Sequence, residues 1–180
     1  MRCLRYGVAM SLDGFIAGPN GEHDWIVHDS AIDFVAMFAQ YDILLMGRGT
    51  YEVVSEKGKS WDRVGQRWIV VSTTLKPEDH PGVTILSSGV AEAVAALKAQ
   101  PGPEPRKDIW LMGGGVLFRG LLDAGLVDTV EVELIPVMLG SGVPLLPEGR
   151  RRSLHLEKST VLPNGTLMLK YSVVPEPTSR

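Results

Sequence analysis

One cysteine, Cys3, in 180 residues leaves no partner for an intramolecular disulfide and no thiolate cluster for zinc. An excess of basic charge is also missing: 18 Lys and Arg stand against 21 Asp and Glu, for a formal net charge of −3, and no long Lys/Arg run occurs. Nucleic acids and membrane surfaces are both anionic, so this balance argues against either as a partner and for a small molecule instead. No stretch approaches the roughly 20 apolar residues that cross a bilayer, and the N-terminus enters a strand-like run, Leu4 to Met10, without a long apolar segment of the secretory kind. A cytoplasmic protein is expected. The four histidines, His23, His28, His80 and His155, are too dispersed for a metal site. Neither the G-x-G-x-x-G fingerprint of a dinucleotide-binding Rossmann turn nor the H-x-E and P-C-x-x-C signature of a zinc deaminase is present.

What the chain does have is enough apolar character, 44% of residues, to fill one sizeable core, and its length predicts a single domain over residues 1–180. Short apolar runs alternate with helical patterns. Strands are predicted at Tyr6 to Met10, Ile43 to Met46, Trp68 to Val71, Val83 to Leu86 and Ile109 to Met112. Helices are predicted over Ser30 to Gln40 with Asp29 or Ser30 as cap, after Gly47, over the Ala-rich Val90 to Ala99, and over Val116 to Ala124 with Gly125 ending it. After Asp128 the pattern changes: Val130, Val132 and Leu134 alternate with Glu131 and Glu133 at the period of a strand. Leu154 to Val161 and Thr166 to Val174 flank Pro163-Asn164-Gly165 and read as a β-hairpin. The order implies a mainly parallel α/β sheet with an antiparallel C-terminal hairpin and helices on both faces.

Three of these strands end on residues suited to phosphate or ribose: Gly47-Arg48-Gly49-Thr50, Ser72-Thr73-Thr74 and Gly113-Gly114-Gly115. Ligands of open α/β sheets collect at the carboxyl ends of the strands, where helix N-termini offer unpaired amides. Glycine there lets backbone approach a pyrophosphate, Arg48 adds a planar cation, and Ser72 with Thr73 adds hydroxyl donors. Each station alone is equally well an ordinary turn. Their order along one chain points to a single dinucleotide.

Met10-Ser11-Leu12-Asp13-Gly14-Phe15-Ile16-Ala17, Leu45-Met46-Gly47-Arg48-Gly49-Thr50-Tyr51 and Leu111-Met112-Gly113-Gly114-Gly115 occur in the order and spacing of one family, joined by Gly125-Leu126-Val127-Asp128 and Ile135-Pro136-Val137-Met138-Leu139-Gly140. The chain resembles the dihydrofolate-reductase-like superfamily, and within it the stand-alone relatives of the riboflavin-biosynthesis reductase domain. The resemblance implies NADPH as cofactor and hydride transfer to a pyrimidine- or pterin-like heterocycle, similar to 5-amino-6-(5-phosphoribosylamino)uracil reductase. Dihydrofolate reduction and a non-catalytic nucleotide-binding homodimer are the alternatives.

It further implies that Gly47, Arg48, Gly49 and Thr50 bind the pyrophosphate, with Arg48 also near the 2′-phosphate that Ser72 and Thr73 help to select. Gly113, Gly114 and Gly115 admit phosphate and ribose to the backbone, Val116 and Leu117 follow as helix-start amides, and Ala9 and Ile16 touch the nicotinamide. Leu12 to Trp25 is the expected lid. Proton donation falls to a carboxyl group, with Asp29, Asp33 and Glu133 as the candidates; Asp29 equally reads as a helix cap, Asp33 as a solvated residue, and Glu133 as lying on an exposed or subunit-facing side of the sheet. Trp25 and Phe34 are expected to wall the substrate pocket or to be plain core. The family also implies a homodimer, with Val137 to Pro147 as an arm near the interface or folded over its own sheet.

Overall fold

The fold is that of a computed structural model, which describes residues 1–27, 29–56, 65–103 and 105–176. The strands are β1 (Leu4–Ser11), β2 (Phe15–Ala17), β3 (Tyr41–Gly47), β4 (Arg67–Val71), β5 (Val83–Leu86), β6 (Asp108–Gly113), β7 (Thr129–Ile135), β8 (Val143–Pro144), β9 (Leu154–Val161) and β10 (Leu167–Val173). The helices are α1 (Phe34–Phe38), α2 (Arg48–Glu56), α3 (Val90–Ala99) and α4 (Gly115–Asp123).

Eight strands form one sheet in the order β5-β4-β3-β6-β1-β7-β10-β9, parallel from β5 through β7 and antiparallel at the β7-β10-β9 end. Period-2 alternation sorts the strand residues between two layers. Leu4, Tyr6, Ile43, Leu45, Ile109 and Leu111, all fully buried, pack with Val94 and Leu97 of α3 and with Phe118, Leu121 and Leu122 of α4. On the opposite face Leu44, Met46 and Val70 pack with Phe38 of α1 and Tyr51 of α2, with Trp68 and Trp110 against them. The sheet is thus covered by helices on both faces, as the sequence predicts.

Two local features differ from the sequence-based expectation. The first helix is only Phe34–Phe38, because Asp33 takes the cap position and its Oδ1 accepts from the Ala36 amide at 2.9 Å. Asp29 is therefore not the cap. Second, β2 and β8, strands of three and two residues, pair antiparallel and fold the segment after β7 back over its own chain. Leu12 N donates to Val137 O and Leu145 N to Gly14 O in the same tie. The Asn164-Gly165 turn forms as expected: the Asn164 side chain accepts from Thr166 N at 3.0 Å, and Gly165 has φ +86°.

Candidate functional site

A cavity of about 1340 Å³ opens at the carboxyl ends of β3 and β6 and runs down the sheet face that α1 and α2 only partly cover. Chain leaving β3 turns toward β4 and β5, whereas β6 returns to the other side of β3, so the strand order reverses at this point. Open α/β sheets place their ligand crevice at such a reversal.

Helix α2 starts immediately after β3, and Gly47, Arg48, Gly49 and Thr50 all line the cavity. Helix α4 starts after β6, with Gly114 as cap residue and no side chain capping it; Gly114, Gly115, Val116 and Leu117 line the cavity too. The first amides of a helix lack partners inside the helix, and an uncapped start leaves them for an anion. The glycines differ in purpose. A methyl group at Gly49 or Gly114 meets nothing within 4 Å, so both hold backbone open toward the cavity. One at Gly115 meets Pro144 O at 2.7 Å and Leu145 O at 3.0 Å, so here glycine is needed to admit the β8 segment. Gly113 is buried beneath the turn, with φ +121° and a cis peptide to Gly114, and does not line the cavity.

Arg48, with its side chain 53% exposed, donates to Thr74 Oγ1 at 3.2 Å and lies 3.6 Å from Glu52. Ser72 is buried, and its hydroxyl accepts from the Thr74 and Leu75 amides, so it shapes the turn after β4. Thr73 is exposed, and neither Ser72 nor Thr73 lines the cavity. Thr74, which holds the Arg48 guanidinium, is the hydroxyl that the sequence reading did not single out. It also passed over the start of α3, where Val90 and Ala91 line the cavity behind an uncapped Gly89; Ser87-Ser88-Gly89 before an Ala-rich run was the available signal.

Farther along, Ala9 of β1 and Ile16 of β2 line the cavity beside Glu133 of β7, whose register partners are Ala9 on one side and Met168 on the other. Phe34 lines it as expected. The other expected contacts do not. Trp25 hydrogen-bonds Glu22 O through Nε1 within its own loop, and Gly21, His23 and Ile26 reach the cavity in its place. Asp29 is buried, its carboxylate accepting from Ala31 N at 2.8 Å and from Asn164 N at 3.0 Å, so it brackets the hairpin turn. Asp33 caps α1. Of the three carboxylates expected to serve as proton donor, only Glu133 reaches the cavity. His28 lies outside the described residues. Among the described residues no three His, Cys, Asp or Glu side chains gather as metal ligands, and no helix is long and apolar enough to cross a membrane.

The base of the loop is fixed by Asp13, which accepts from Ser11 Oγ at 2.7 Å and from the Leu139 and Gly140 amides. Donation from Ser11 is the largest cause of its carboxyl being held down at about 2, with the Gly140 and Leu139 amides adding to it. Deeper in the cavity Tyr41 is buried beside Glu131, and burial pushes its hydroxyl above the usual tyrosine range. Trp110 donates to Gly7 O at 2.9 Å, and a methyl group on Gly7 would come within 2.7 Å of that indole nitrogen.

The RibD C-terminal domain family matches residues 2–168 of the chain. YyaP of Bacillus subtilis, an uncharacterised protein, is 32% identical over 176 residues, which is 91% of each chain. A protein of known structure from Shewanella sp. PV-4, provisionally assigned to riboflavin biosynthesis, is 27% identical and superposes with a TM-score of 0.79, covering 97% of this chain and 100% of its own. Dihydrofolate reductase from Enterococcus faecalis, solved with NADP(H), shares the fold at 19% identity and a TM-score of 0.63, over 95% of this chain and 94% of its own. On the family match and the resemblance to YyaP, the chain belongs to the RibD C-terminal domain family.

Proposed function

We propose that the chain is an NADPH-dependent reductase of a pyrimidine- or pterin-like heterocycle, similar to the reductase of riboflavin biosynthesis. The observation that carries this reading is that one cavity joins two uncapped or glycine-opened helix starts, at Gly49 and Gly114, to a carboxylate, Glu133, next to the small residue Ala9. Its volume of about 1340 Å³ exceeds the roughly 300–1,000 Å³ of a pocket for a single small ligand, so a dinucleotide and a substrate fit together.

NADPH when bound supplies a hydride from its nicotinamide ring. The chain's own residues then have four tasks. Gly49 and Gly114 let phosphate oxygens reach helix-start amides that a side chain would screen. Arg48, braced by Thr74, meets the 2′-phosphate with a planar fork of donors. Ala9 and Ile16 give the nicotinamide a flat apolar seat, and the Gly21–Ile26 tip of the loop covers it from water. Glu133 sets a carboxyl group beside the reacting heterocycle, between Ala9 and Met168, where it can pass a proton.

Thermal melts with NADPH and NADH test the cofactor. NADPH should raise the Tm more than NADH, and Arg48→Ala should bring the two shifts together. The absence of a shift with either nucleotide at millimolar concentration sinks the reading. Glu133→Gln should leave the NADPH shift intact while slowing single-turnover hydride transfer to the accepted heterocycle by about 10²- to 10⁴-fold.

A further inference from the structure

Two residues before the level of Ala9 and Glu133, the cavity has a second polar station. Gly7 and Glu131, in register on β1 and β7, line it there, together with Tyr41 from the start of β3 and Trp110 of β6. Tyr41 is only 4% exposed, and among the described residues its hydroxyl has no hydrogen-bond partner. A buried hydroxyl left unpaired costs stability, and phenylalanine would fill the same space without that cost. The ring itself is well accounted for: its centroid lies 5.3 Å from that of Trp110, and the Arg5 guanidinium sits 4.8 Å from it. Packing thus explains the ring and leaves the hydroxyl without a purpose in the fold. Arg5 also holds Glu131, with one donor to each carboxylate oxygen at 2.7 and 2.8 Å, while Thr129 Oγ1 donates to Oε1 at 3.0 Å. Oε1 is therefore filled, whereas Oε2 accepts one bond and has capacity for another. Glu131 lines the cavity and Arg5 does not, so the carboxylate is anchored from outside it. Burial, with Glu131 adding to it, pushes the Tyr41 hydroxyl above the usual tyrosine range, which keeps it a donor beside an acceptor. Gly7 brings no side chain between a ring and the sheet at this level.

Building on the reading of this cavity as a heterocycle reductase, we infer that Tyr41 is a specificity-determining residue: its hydroxyl donates to a carbonyl oxygen on the far edge of the substrate ring, while Glu131 accepts from the adjacent ring N–H. The site thereby selects a lactam edge. The strand itself sets the distance. Glu131 and Glu133 are two residues apart on β7, roughly 7 Å at about 3.3 Å per residue, so a ring whose reacting edge lies at Glu133 presents its opposite edge at Glu131. A ring that lacks the carbonyl leaves the Tyr41 hydroxyl as unpaired as it is in the free protein. Tyr41 acts on which ring binds and takes no part in the transfer of the hydride or the proton.

Calorimetric titration tests this with two probe pairs, 4-quinazolinone against quinazoline and 1-isoquinolinone against isoquinoline, each with and without saturating NADP+. In each pair one member carries the N–H and C=O edge and the other keeps the ring shape without it. The lactam of at least one pair should bind about tenfold more tightly, and Tyr41→Phe should cut that preference to about threefold or less while the affinity for the plain ring stays within about twofold. The NADPH-induced Tm shift should be unchanged. Without nucleotide, the Tm of Tyr41→Phe should equal or exceed that of the wild type, because an unpaired buried hydroxyl has been removed; a lower Tm overturns the inference, since the hydroxyl would then serve the fold. Equal binding within both pairs, or none, overturns it as well, as does a preference that survives Tyr41→Phe. The reductase reading fails separately: a protein whose Tm does not respond to NADPH but which prefers the lactam through Tyr41 keeps the edge recognition and loses the cofactor.

Discussion

Gly49 and Gly115 each lie in the first turn of a helix bordering the same cavity, yet a methyl group means opposite things at the two. At Gly49 it points into open space, and alanine in a helix is favoured over glycine by up to about 1 kcal/mol, so Gly49→Ala should keep or slightly raise the Tm of the free protein. It should also shrink the NADPH shift, because the methyl group occupies the approach to the amides. At Gly115 it collides with two backbone carbonyls that have no rotamer to escape into, so Gly115→Ala should cost about 1–3 kcal/mol and lower the Tm by about 2–4 °C for each. Paired melts with and without nucleotide read both effects, and an unchanged Gly115→Ala melt would refute the packing role. Asp29 belongs at this scale as well. Asp29→Asn puts an amide nitrogen where one carboxylate oxygen accepted from Ala31 or Asn164, so a loss of about 1–3 kcal/mol in stability is expected, with NADPH binding retained. Sequence placed Asp29 one helical turn from Asp33 and could not reveal that its second partner is Asn164, 135 residues away.

At the scale of elements, the loop between β1 and α1 has two halves with different ties. Its base is bound by Asp13, by the β2–β8 ladder, and by the Leu12–Val137 and Leu145–Gly14 backbone bonds, all to the segment after β7. Its tip, from Gly18 to Ile26, has hydrogen bonds within itself: Gly18 N to Glu22 O, Gly21 N to Gly18 O and Trp25 Nε1 to Glu22 O. Among the described residues, the part of the loop without ties to the segment after β7 is thus shorter than the lid from Leu12 to Trp25 expected from the sequence. Asp13 sets the pH range of the base. Its carboxyl is held at about 2, below the ordinary 3.8, so the tie is complete above about pH 4 and is lost as the pH falls through about 2. The Leu139 and Gly140 amide resonances should titrate with a midpoint near 2, and Asp13→Asn should abolish that titration; a midpoint near 3.8 would mean that the carboxylate is not held by these donors. The strands of the main sheet were legible because three or more apolar residues mark each one. β2 and β8 were not, since two or three residues carry no periodicity and their pairing is set by tertiary contact. The shortening of α1 was half legible: Asp33 is a good cap by type, but so are Asp29 and Ser30, and only the capture of Asp29 by the hairpin turn decides among them.

Across the whole molecule, one sheet separates two apolar layers, and the candidate site draws from both. α2, with Tyr51, belongs to the layer that holds Trp68 and Trp110; α3 and α4 belong to the layer of Val94, Phe118 and Leu121. Their N-termini nevertheless meet at the mouth of one cavity, because β3, β5 and β6 are parallel and end on the same edge. The alternation of strands and helices made that meeting legible in outline. The Tyr41 and Glu131 end of the cavity was hidden, because β6 and β1 lie between their strands and only the sheet order brings both side chains to Arg5. Unfolding follows from the shared sheet: Leu44 and Met46 face one layer while Ile43 and Leu45, their neighbours on β3, face the other, so neither layer can melt and leave β3 in place for the other. A single transition is expected, with coincident midpoints from tryptophan fluorescence, to which Trp68 and Trp110 of one layer contribute, and from far-UV circular dichroism, to which the helices of both layers contribute. NADPH at 100 times its Kd adds about 2.7 kcal/mol. At about 2–4 °C per kcal/mol, both midpoints should rise together by about 5–11 °C. Two separated transitions, or a nucleotide shift seen by one probe alone, would mean that the layers unfold independently and that the dinucleotide touches only one of them.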